Sequence, residues 1–212
     1  KIYFDPNLGK LNTDDRGDYI GEFNGRDNVL VIHSDGSYEL TTYELTNRYD
    51  SKKIDIITKH SPEIVISAVY YDGKSKLYYV KRFKIETLTI GKTFPFISEA
   101  PNSRLVVVSI NKDPKIAIDY RKSLKGEKLH AVYSLMAMIE VKGWKAMGNR
   151  LTSDKVVKVK LVPPTEEELA AEKEVPKIIK AIEEENTEIP KESFNTGDTI
   201  DLSSTDDQMT LF

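Results

Sequence analysis

The chain has 212 residues, a formal net charge of −3, 39% hydrophobic residues and no cysteine. This length fits one domain with an appendage or two small domains, and the lack of cysteine excludes disulfide frameworks, thiolate zinc sites and a cysteine nucleophile. No apolar run approaches the roughly 20 residues of a transmembrane helix. Because the chain begins at Lys1 rather than at methionine, we expect it to be part of a longer protein.

The charge is unevenly distributed along the chain. Residues 1–162 carry 27 lysines and arginines against 20 aspartates and glutamates, whereas residues 163–212 carry 4 against 14. We therefore predict a globular domain over 1–162 and an acidic tail over 163–212. A basic domain is typical of polyanion binding, and we expect the tail to compete electrostatically for the same surface.

Short segments rich in β-branched and aromatic residues predict strands in the first 162 residues. In chain order they are 29–32, 38–43, 64–71, 77–80, 104–109 and 155–160. The last segment alternates valine and lysine. A period of two places Val157 and Val159 on one face and Lys158 and Lys160 on the other.

Turn signals recur between these strands. Asp35-Gly36 and Asp72-Gly73 predict hairpins, and Lys112-Asp113-Pro114 and Lys142-Gly143 stand in similar places later in the chain. The signals are about 40 residues apart, a spacing typical of the blades of a propeller-like array. An ordinary β-sandwich with irregular hairpins is the alternative.

The acidic tail opens with helix signals. Thr165 is a candidate N-cap with Glu168 at the capping-box position, and Pro176 is placed to open a second helix. We predict helix over 165–185 and largely irregular chain afterwards, with 199–202 as a candidate for pairing with a sheet edge.

No motif in the chain indicates catalysis or metal binding. Gly91-Lys92-Thr93 lacks the first glycine of a phosphate-binding loop, because Glu86 stands at that position, and we interpret it as a loop between strands. His33, His60 and His130 lack the spacing of metal ligands. We therefore predict no catalytic residue, no metal site and no cofactor in this chain.

Basic residues form three clusters beside the predicted strands and turns. Each cluster alone is typical of a solvated surface, but together they would line one rim on which the phosphates of DNA bind, with little sequence information in the contacts. The predicted DNA-binding residues are Lys74, Lys76, Lys81, Arg82 and Lys84, then Arg121, Lys122 and Lys125, and finally Lys142, Lys145 and Arg150.

Three segments resemble one known family. The segment 70–83 contains Asp72-Gly73 between tyrosine-rich strands, 142–151 holds two glycines around a basic and polar run, and 206–212 has a similar ending. They are similar to the C-terminal domain of the A subunit in bacterial type IIA topoisomerases, more to topoisomerase IV than to gyrase. The resemblance implies an all-β fold, a β-pinwheel of about four blades in an open or incomplete ring, which binds and bends duplex DNA on its basic perimeter.

The resemblance also implies that the chemistry lies elsewhere. In that family the DNA-cleaving tyrosine and the metal-binding carboxylates belong to the B subunit or to other parts of the A subunit. ATP and magnesium serve the parent enzyme in the bacterial cytoplasm. The family's gyrase members wrap DNA with a Gln-Arg-Arg-Gly-Gly-Lys-Gly box, which is absent here. We therefore expect capture of a duplex segment for strand passage rather than wrapping.

A propeller-like protein-interaction module is the alternative function. The salt dependence of binding distinguishes the two, because phosphate contacts weaken steeply as the salt concentration rises.

Overall fold

The computed structural model describes residues 1–121 and 127–165, and Lys1–Glu166 form one compact unit. The regular secondary structure of the described residues consists of strands, apart from one short helix, α1 (Leu135–Met138), and one 3-10 turn at Ser51–Lys53. The strands make four antiparallel sheets.

The first two sheets come mainly from the first 60 residues. Sheet 1 contains β1 (Ile2–Asp5), β2 (Lys10–Asn12) and β3 (Asp18–Gly21), in the order β2-β1-β3. Sheet 2 contains β4 (Val29–His33), β5 (Ser37–Thr41), β6 (Ile54–Lys59) and β9 (Thr93–Pro95), in the order β6-β4-β5-β9.

The other two sheets follow in the chain. Sheet 3 contains β7 (Val65–Asp72), β8 (Leu77–Lys84), β10 (Arg104–Ser109) and β13 (Asn149–Arg150), in the order β10-β7-β8-β13. Sheet 4 contains β11 (Lys115–Arg121), β12 (Lys128–Ser134) and β14 (Lys155–Val162), in the order β12-β11-β14.

Consecutive sheets pack face to face around three hydrophobic clusters. In β4, Val29 and Val31 pack in a cluster with sheet 1, while Leu30 and Ile32 pack in a second cluster with sheet 3. All four side chains are fully buried, which explains why the segment is continuously apolar instead of alternating. A third cluster joins sheets 3 and 4 through residues that include Val69 and Ile118.

Strands are exchanged between neighbouring sheets. β9 belongs to sheet 2 but follows the β7–β8 hairpin of sheet 3 in the sequence. Likewise, β13 belongs to sheet 3 but follows the β11–β12 hairpin of sheet 4. The predicted all-β pinwheel with about four blades is therefore confirmed, with one sheet for each blade.

Two of the four predicted turns are hairpin turns within a sheet. Asp35-Gly36 links β4 to β5, and Asp72-Gly73 links β7 to β8. Lys112-Asp113-Pro114 lies between two strands as predicted, but these strands, β10 and β11, belong to different sheets. Lys142-Gly143 was expected to follow a strand and instead lies in the loop between α1 and β13. β11 and β12 also pair as neighbours in the chain, and the sequence between them carries no comparable Asp-Gly signal.

The predicted tail helices over 165–185 and the strand candidate at 199–202 lie outside the described residues, apart from Thr165. The division between a domain at 1–162 and a tail at 163–212 stays a prediction. Within the described ranges, no helix is long and apolar enough to cross a bilayer.

Asp72 stabilises the β7–β8 turn. Its side chain is 2% exposed, and its Oδ2 accepts a hydrogen bond of 2.8 Å from the backbone N–H of Ser75. Hydrogen bonds from the side chains of Ser75 and Ser98 and from the backbone of Ser75 lower the pKa of Asp72 to about 2. Because the pKa is lower in the folded state, this stabilisation is present above about pH 4 and is lost as the pH falls through 2.

We therefore expect Asp72→Ala to lower the free energy of unfolding at neutral pH by about 1–3 kcal/mol, the range for a hydrogen-bonded charged group. The difference between the wild type and the variant should shrink as the pH falls from 4 to 2. Urea unfolding at pH 7, 4 and 2.5 measures it, and a difference that stays constant with pH would contradict this role of the carboxylate.

Candidate nucleic-acid interface

The outer face of sheet 4 is strongly basic. In β11, Ile116 and Ile118 are buried in the core, so the alternation of the strand places Asp119 and Arg121 on the opposite face. The residues opposite them on β12 and β14 share that face. Its exposed cations, which we call the basic face, are Arg121, Lys128, Lys155, Lys158 and Lys160.

Three of these cations form one row across the sheet. Lys128 and Lys155 both lie directly opposite Arg121, on the two strands that flank β11. Neighbouring strands are about 4.8 Å apart, and like charges directly opposite one another destabilise a sheet. The ion pairs found among the described residues involve none of the five side chains of the basic face. A bound polyanion would relieve this repulsion.

A bulge in β14 brings Lys155 onto this face. The pairing with β11 passes from Lys158 opposite Asp119 to Val156 opposite Tyr120, which leaves Val157 as the extra residue. The predicted placement of Val157 on the same face as Val159 was therefore wrong. Val157 is 54% exposed, and Val156 and Val159 pack against the core. Without the bulge, the simple alternation would place Val156 on the outer face in place of Lys155.

A cleft of ≈ 510 Å³ lies beside the basic face and shares Lys155 with it. Its walls combine cations from sheets 3 and 4 with two tyrosines and one carboxylate. We call this site the basic cleft, and its charged and aromatic lining residues are Lys76, Arg104, Arg150, Lys155, Tyr71, Tyr78 and Asp154.

Arg104 is held in the basic cleft by two tyrosines. Its guanidinium lies 4.6 Å from the centre of the Tyr71 ring, and Nη2 donates to the Tyr78 hydroxyl at 3.5 Å, a long hydrogen bond. Arg104 lies opposite Tyr71 on β7, and Tyr71 lies opposite Tyr78 on β8. The aromatic contacts orient the cation without neutralising it.

Arg150 is oriented by the backbone. Its Nε donates to the carbonyl oxygen of Thr152 at 2.8 Å, and Nη2 donates to that of Ser153 at 3.1 Å. Carbonyl oxygens hold the guanidinium in place but leave its net charge available to an anion. The basic cleft therefore contains two oriented guanidinium groups.

Two of the predicted DNA-binding residues are buried. Lys81 is 3% exposed and Arg82 is 8% exposed, because both faces of sheet 3 are covered by neighbouring sheets and loops. Arg82 donates from Nε to Ser67 Oγ at 3.2 Å and from Nη1 to the carbonyl oxygen of Ile139 at 3.3 Å. The expectation that these two residues lie on an exposed rim was wrong.

Lys81 joins three parts of the fold. Its Nζ donates to the carbonyl oxygens of Phe96 at 2.5 Å and Trp144 at 2.7 Å and lies 5.0 Å from the centre of the Phe83 ring. Burial lowers the pKa of Lys81 to about 8. This lysine therefore connects β8 to the chain that follows β9 and to the loop that precedes β13.

The other predicted residues of the first cluster lie apart from one another. Lys74 and Lys76 are exposed in the β7–β8 turn, and Lys76 lines the basic cleft. Lys84 lies at the far end of β8, and its Nζ pairs with Glu63 Oε2 at 2.7 Å. Lys76 therefore lies in the basic cleft, whereas Lys74 and Lys84 do not line it.

The loop before β13 carries two further predicted residues. Lys142 is exposed, and its Nζ donates to Asn149 Oδ1 at 3.1 Å, while the Nζ of Lys145 lies 5.1 Å from the centre of the Trp144 ring. Gly148 has φ +88, and an added Cβ would lie 2.2 Å from the carbonyl oxygen of Val80. A side chain at this position would collide with β8, so the glycine allows the loop to pass close to the β8 backbone.

In the second predicted cluster, Arg121 belongs to the basic face, whereas Lys122 and Lys125 lie outside the described residues. No motif in the sequence marks Arg104 as part of the site. Lys158 and Lys160 were predicted on one strand face but not in the binding site. Lys155 could not be placed there because the bulge has no sequence signal.

Positive charge increases along the chain. Residues 1–60 carry 8 lysines and arginines against 11 acidic residues, 61–120 carry 9 against 6, and 121–162 carry 10 against 3. The excess of positive charge therefore belongs to sheets 3 and 4 and their connections rather than to all four sheets. Within the described residues, no group of three or more potential ligands is arranged to hold a metal ion.

The matches of this chain to known proteins include a family model, a curated relative and solved structures. A family model described as the topoisomerase C-terminal domain of Bacteroidota matches residues 10–163. The chain is 28% identical over 147 residues to the A subunit of DNA topoisomerase 4 from Borreliella burgdorferi, covering 68% of this chain and 22% of the relative. A crystal structure of the C-terminal domain of DNA topoisomerase IV matches with a TM-score of 0.48 and 15% identity, covering 75% of this chain and 54% of that chain. The chain thus spans about a fifth of the length of its curated relative.

Proposed function

Because the chain belongs to the topoisomerase C-terminal domain family of Bacteroidota, we propose that it is a non-catalytic domain that binds duplex DNA for the A subunit of a topoisomerase IV-like enzyme. The observation that carries this proposal is the row of Lys128, Arg121 and Lys155, three directly opposed cations that no ion pair among the described residues involves. Such a row is destabilising in the free protein and becomes favourable when phosphates lie across it.

The basic face and the basic cleft together supply eight cationic side chains. They are Lys76, Arg104, Arg121, Lys128, Lys155, Lys158, Lys160 and Arg150. Lysines act as mobile point charges that follow the backbone of any duplex, whereas the oriented Arg104 and Arg150 favour defined positions of the phosphates. Contacts of this kind position the DNA without reading its sequence.

In the proposed reaction, the domain holds a duplex segment that the parent enzyme passes through a second, cleaved duplex. The B subunit together with the rest of the A subunit would supply cleavage and ATP hydrolysis with magnesium, in the bacterial cytoplasm. The residues of the basic face and the basic cleft bind and orient the transported segment. The missing gyrase box supports capture of a segment over wrapping.

A duplex-binding titration at several salt concentrations tests the proposal. If the eight cations neutralise six to eight phosphates, the logarithm of the affinity should fall with the logarithm of salt with a slope of about −5 to −7. Between 50 and 200 mM salt, the affinity should fall about 1,000-fold or more. Fluorescence anisotropy with a labelled duplex of mixed sequence measures both quantities.

Two results would contradict DNA binding as the function. One is no binding at 50 mM salt, and the other is a slope near zero. A shallow slope together with tight binding of a peptide would favour the alternative, a protein-interaction module. The affinity of a peptide for an apolar groove depends little on the salt concentration.

A further inference from the structure

A histidine and a carboxylate lie among the cations of the basic face. His130 on β12 is directly opposite Asp119 on β11, and Lys158 on β14 is opposite Asp119 on its other side. The next row along the three strands is the row of three opposed cations. Asp119 is the only carboxylate in the sequences of β11, β12 and β14. His130 therefore pairs with the one negative charge that these strands contain.

The hydrogen bond between the two side chains determines which imidazole nitrogen carries a hydrogen. His130 Nδ1 lies 2.7 Å from Asp119 Oδ1. A carboxylate only accepts hydrogen bonds, so Nδ1 must donate, and in the neutral ring Nε2 is left with a lone pair. The side chain of His130 is 63% exposed, and among the described residues it is bonded through Nδ1 and not through Nε2. Nε2 is therefore the atom that a ligand on this face would meet.

The protonation state of His130 decides whether this position attracts or repels a phosphate. In the neutral form, the pair carries the negative charge of Asp119 and presents a lone pair to the phosphate oxygens. In the protonated form, the pair has no net charge, and Nε2–H can donate a charge-assisted hydrogen bond to a phosphate oxygen. Histidine is the side chain that ordinarily changes its charge between about pH 5 and 8.

We propose that His130 is a phosphate-binding residue of the basic face and that Asp119 is its positioning residue, so that duplex DNA binds together with one proton. This inference rests on the proposed function and adds to it a contact whose charge depends on pH. A protonated imidazole favours bound phosphate, and by the same coupling free energy bound phosphate favours the protonated imidazole. The domain should therefore hold DNA more tightly at pH 6 than at pH 8.

The other charged groups around His130 strengthen this coupling, because all those that share its face on β11, β12 and β14 are cations. α1, which also packs against β12, has no titratable side chain. Cations disfavour a further positive charge beside them, and bound phosphates remove that repulsion. The cations on these strands are Lys115 and Arg121 on β11, Lys128 on β12, and Lys155, Lys158 and Lys160 on β14.

Duplex-binding titrations of the whole chain of 212 residues, at pH 6 and pH 8 and a constant 50 mM salt, test the proposal. The affinity of the wild type should be about fivefold higher at pH 6, if the added contact is worth on the order of tenfold. His130→Gln should remove this difference and leave the affinity at pH 8 within about twofold, since the charge of Asp119 remains in both proteins.

His33→Gln is the matched control. His33 also lies beside a carboxylate, with Nε2 3.8 Å from Glu39 Oε2, but it belongs to sheet 2 rather than to the basic face. This variant should keep the pH dependence of the wild type.

Asp119→Ala tests the positioning role through a readout that a merely structural role would not change. Without its acceptor, the neutral imidazole should take the Nε2–H form that free histidine prefers, and NMR of the ring nitrogens records the change directly. Nε2 can then donate to a phosphate in both protonation states. The pH dependence of DNA affinity should therefore become smaller than in the wild type, and the affinity at pH 8 should rise because a carboxylate has been removed.

The outcomes separate this inference from the proposed function. Equal affinity of the wild type at both pH values would overturn the inference and leave DNA binding in place. The same holds for a pH dependence that His130→Gln retains or that His33→Gln removes equally. A neutral His130 with its hydrogen on Nε2 in the wild type would overturn the role of Asp119. No duplex binding at either pH would overturn the inference together with the proposed function.

Discussion

Reversing two charges of the basic face should remove most of the affinity for duplex DNA. We expect Lys155→Glu with Lys158→Glu to weaken binding on the order of 100-fold at 50 mM salt, if each lost phosphate contact is worth about 1.4 kcal/mol. Both lysines are exposed, and no ion pair among the described residues involves them, so the double variant should keep its stability within about 1 kcal/mol.

The slope of log affinity against log salt gives an independent measure of the same change. It should become shallower by about 2 in the double variant, because two phosphates are no longer neutralised. Lys52→Glu with Lys53→Glu is the matched control, since it changes the net charge equally at two exposed lysines beside sheet 2. Equal losses in both double variants would mean that only total charge matters, and would count against the basic face.

Removing the buried amine of Lys81 should destabilise the fold far more than removing the partly exposed amine of Lys84. Lys81→Ala leaves the carbonyl oxygens of Phe96 and Trp144 without their donor and opens a cavity in β8. We expect the free energy of unfolding to fall by about 2–4 kcal/mol. Lys84→Ala is the matched control on the same strand. Its ion pair with Glu63 is partly exposed, and its loss should cost less than about 1 kcal/mol.

The pH dependence of stability distinguishes the effect of the Lys81 charge from the effect of its side-chain volume. Burial lowers its pKa to about 8 from the ordinary value of 10.5, so the unfolded state binds the proton more tightly. The contribution of Lys81 to the free energy of unfolding therefore rises between pH 8 and pH 10.5. This contribution is lost as the pH falls back through 8. Lys81→Met keeps most of the volume without the titrating group.

We expect the wild type to gain stability relative to Lys81→Met as the pH rises through this range, measured by urea unfolding at pH 7.5, 9 and 10.5. A difference that does not change with pH would show that Lys81 titrates alike in the folded and unfolded protein. Equal destabilisation by Lys81→Ala and Lys84→Ala would contradict the structural role of Lys81.

The sequence predicts the fold best where local chemistry decides it. Asp35-Gly36 and Asp72-Gly73 favour tight turns in any context, and the hairpins around them agree with the structure. The β11–β12 hairpin escapes prediction because its connection has no such pair, and the exchanged strands β9 and β13 are too short to produce a periodic pattern.

The errors at the candidate site have one physical cause, which is that tertiary context overrides local alternation. In a strand with one exposed face, either Lys81 or Arg82 would point to solvent, but both faces of sheet 3 are covered, and consecutive cations are buried. Likewise, the bulge at Val157 moves Lys155 to the basic face, and nothing in an alternating valine–lysine segment specifies where such a bulge occurs.

An NMR titration of the full chain with a short duplex of mixed sequence at low salt tests the location of DNA binding most directly, because it records which backbone amides shift. We predict that the shifts concentrate in β11, β12 and β14 and around Lys76, Arg104 and Arg150, and leave sheets 1 and 2 unchanged. Shifts confined to sheets 1 and 2, or spread evenly over all four sheets, would contradict the assignment of DNA binding to the basic face.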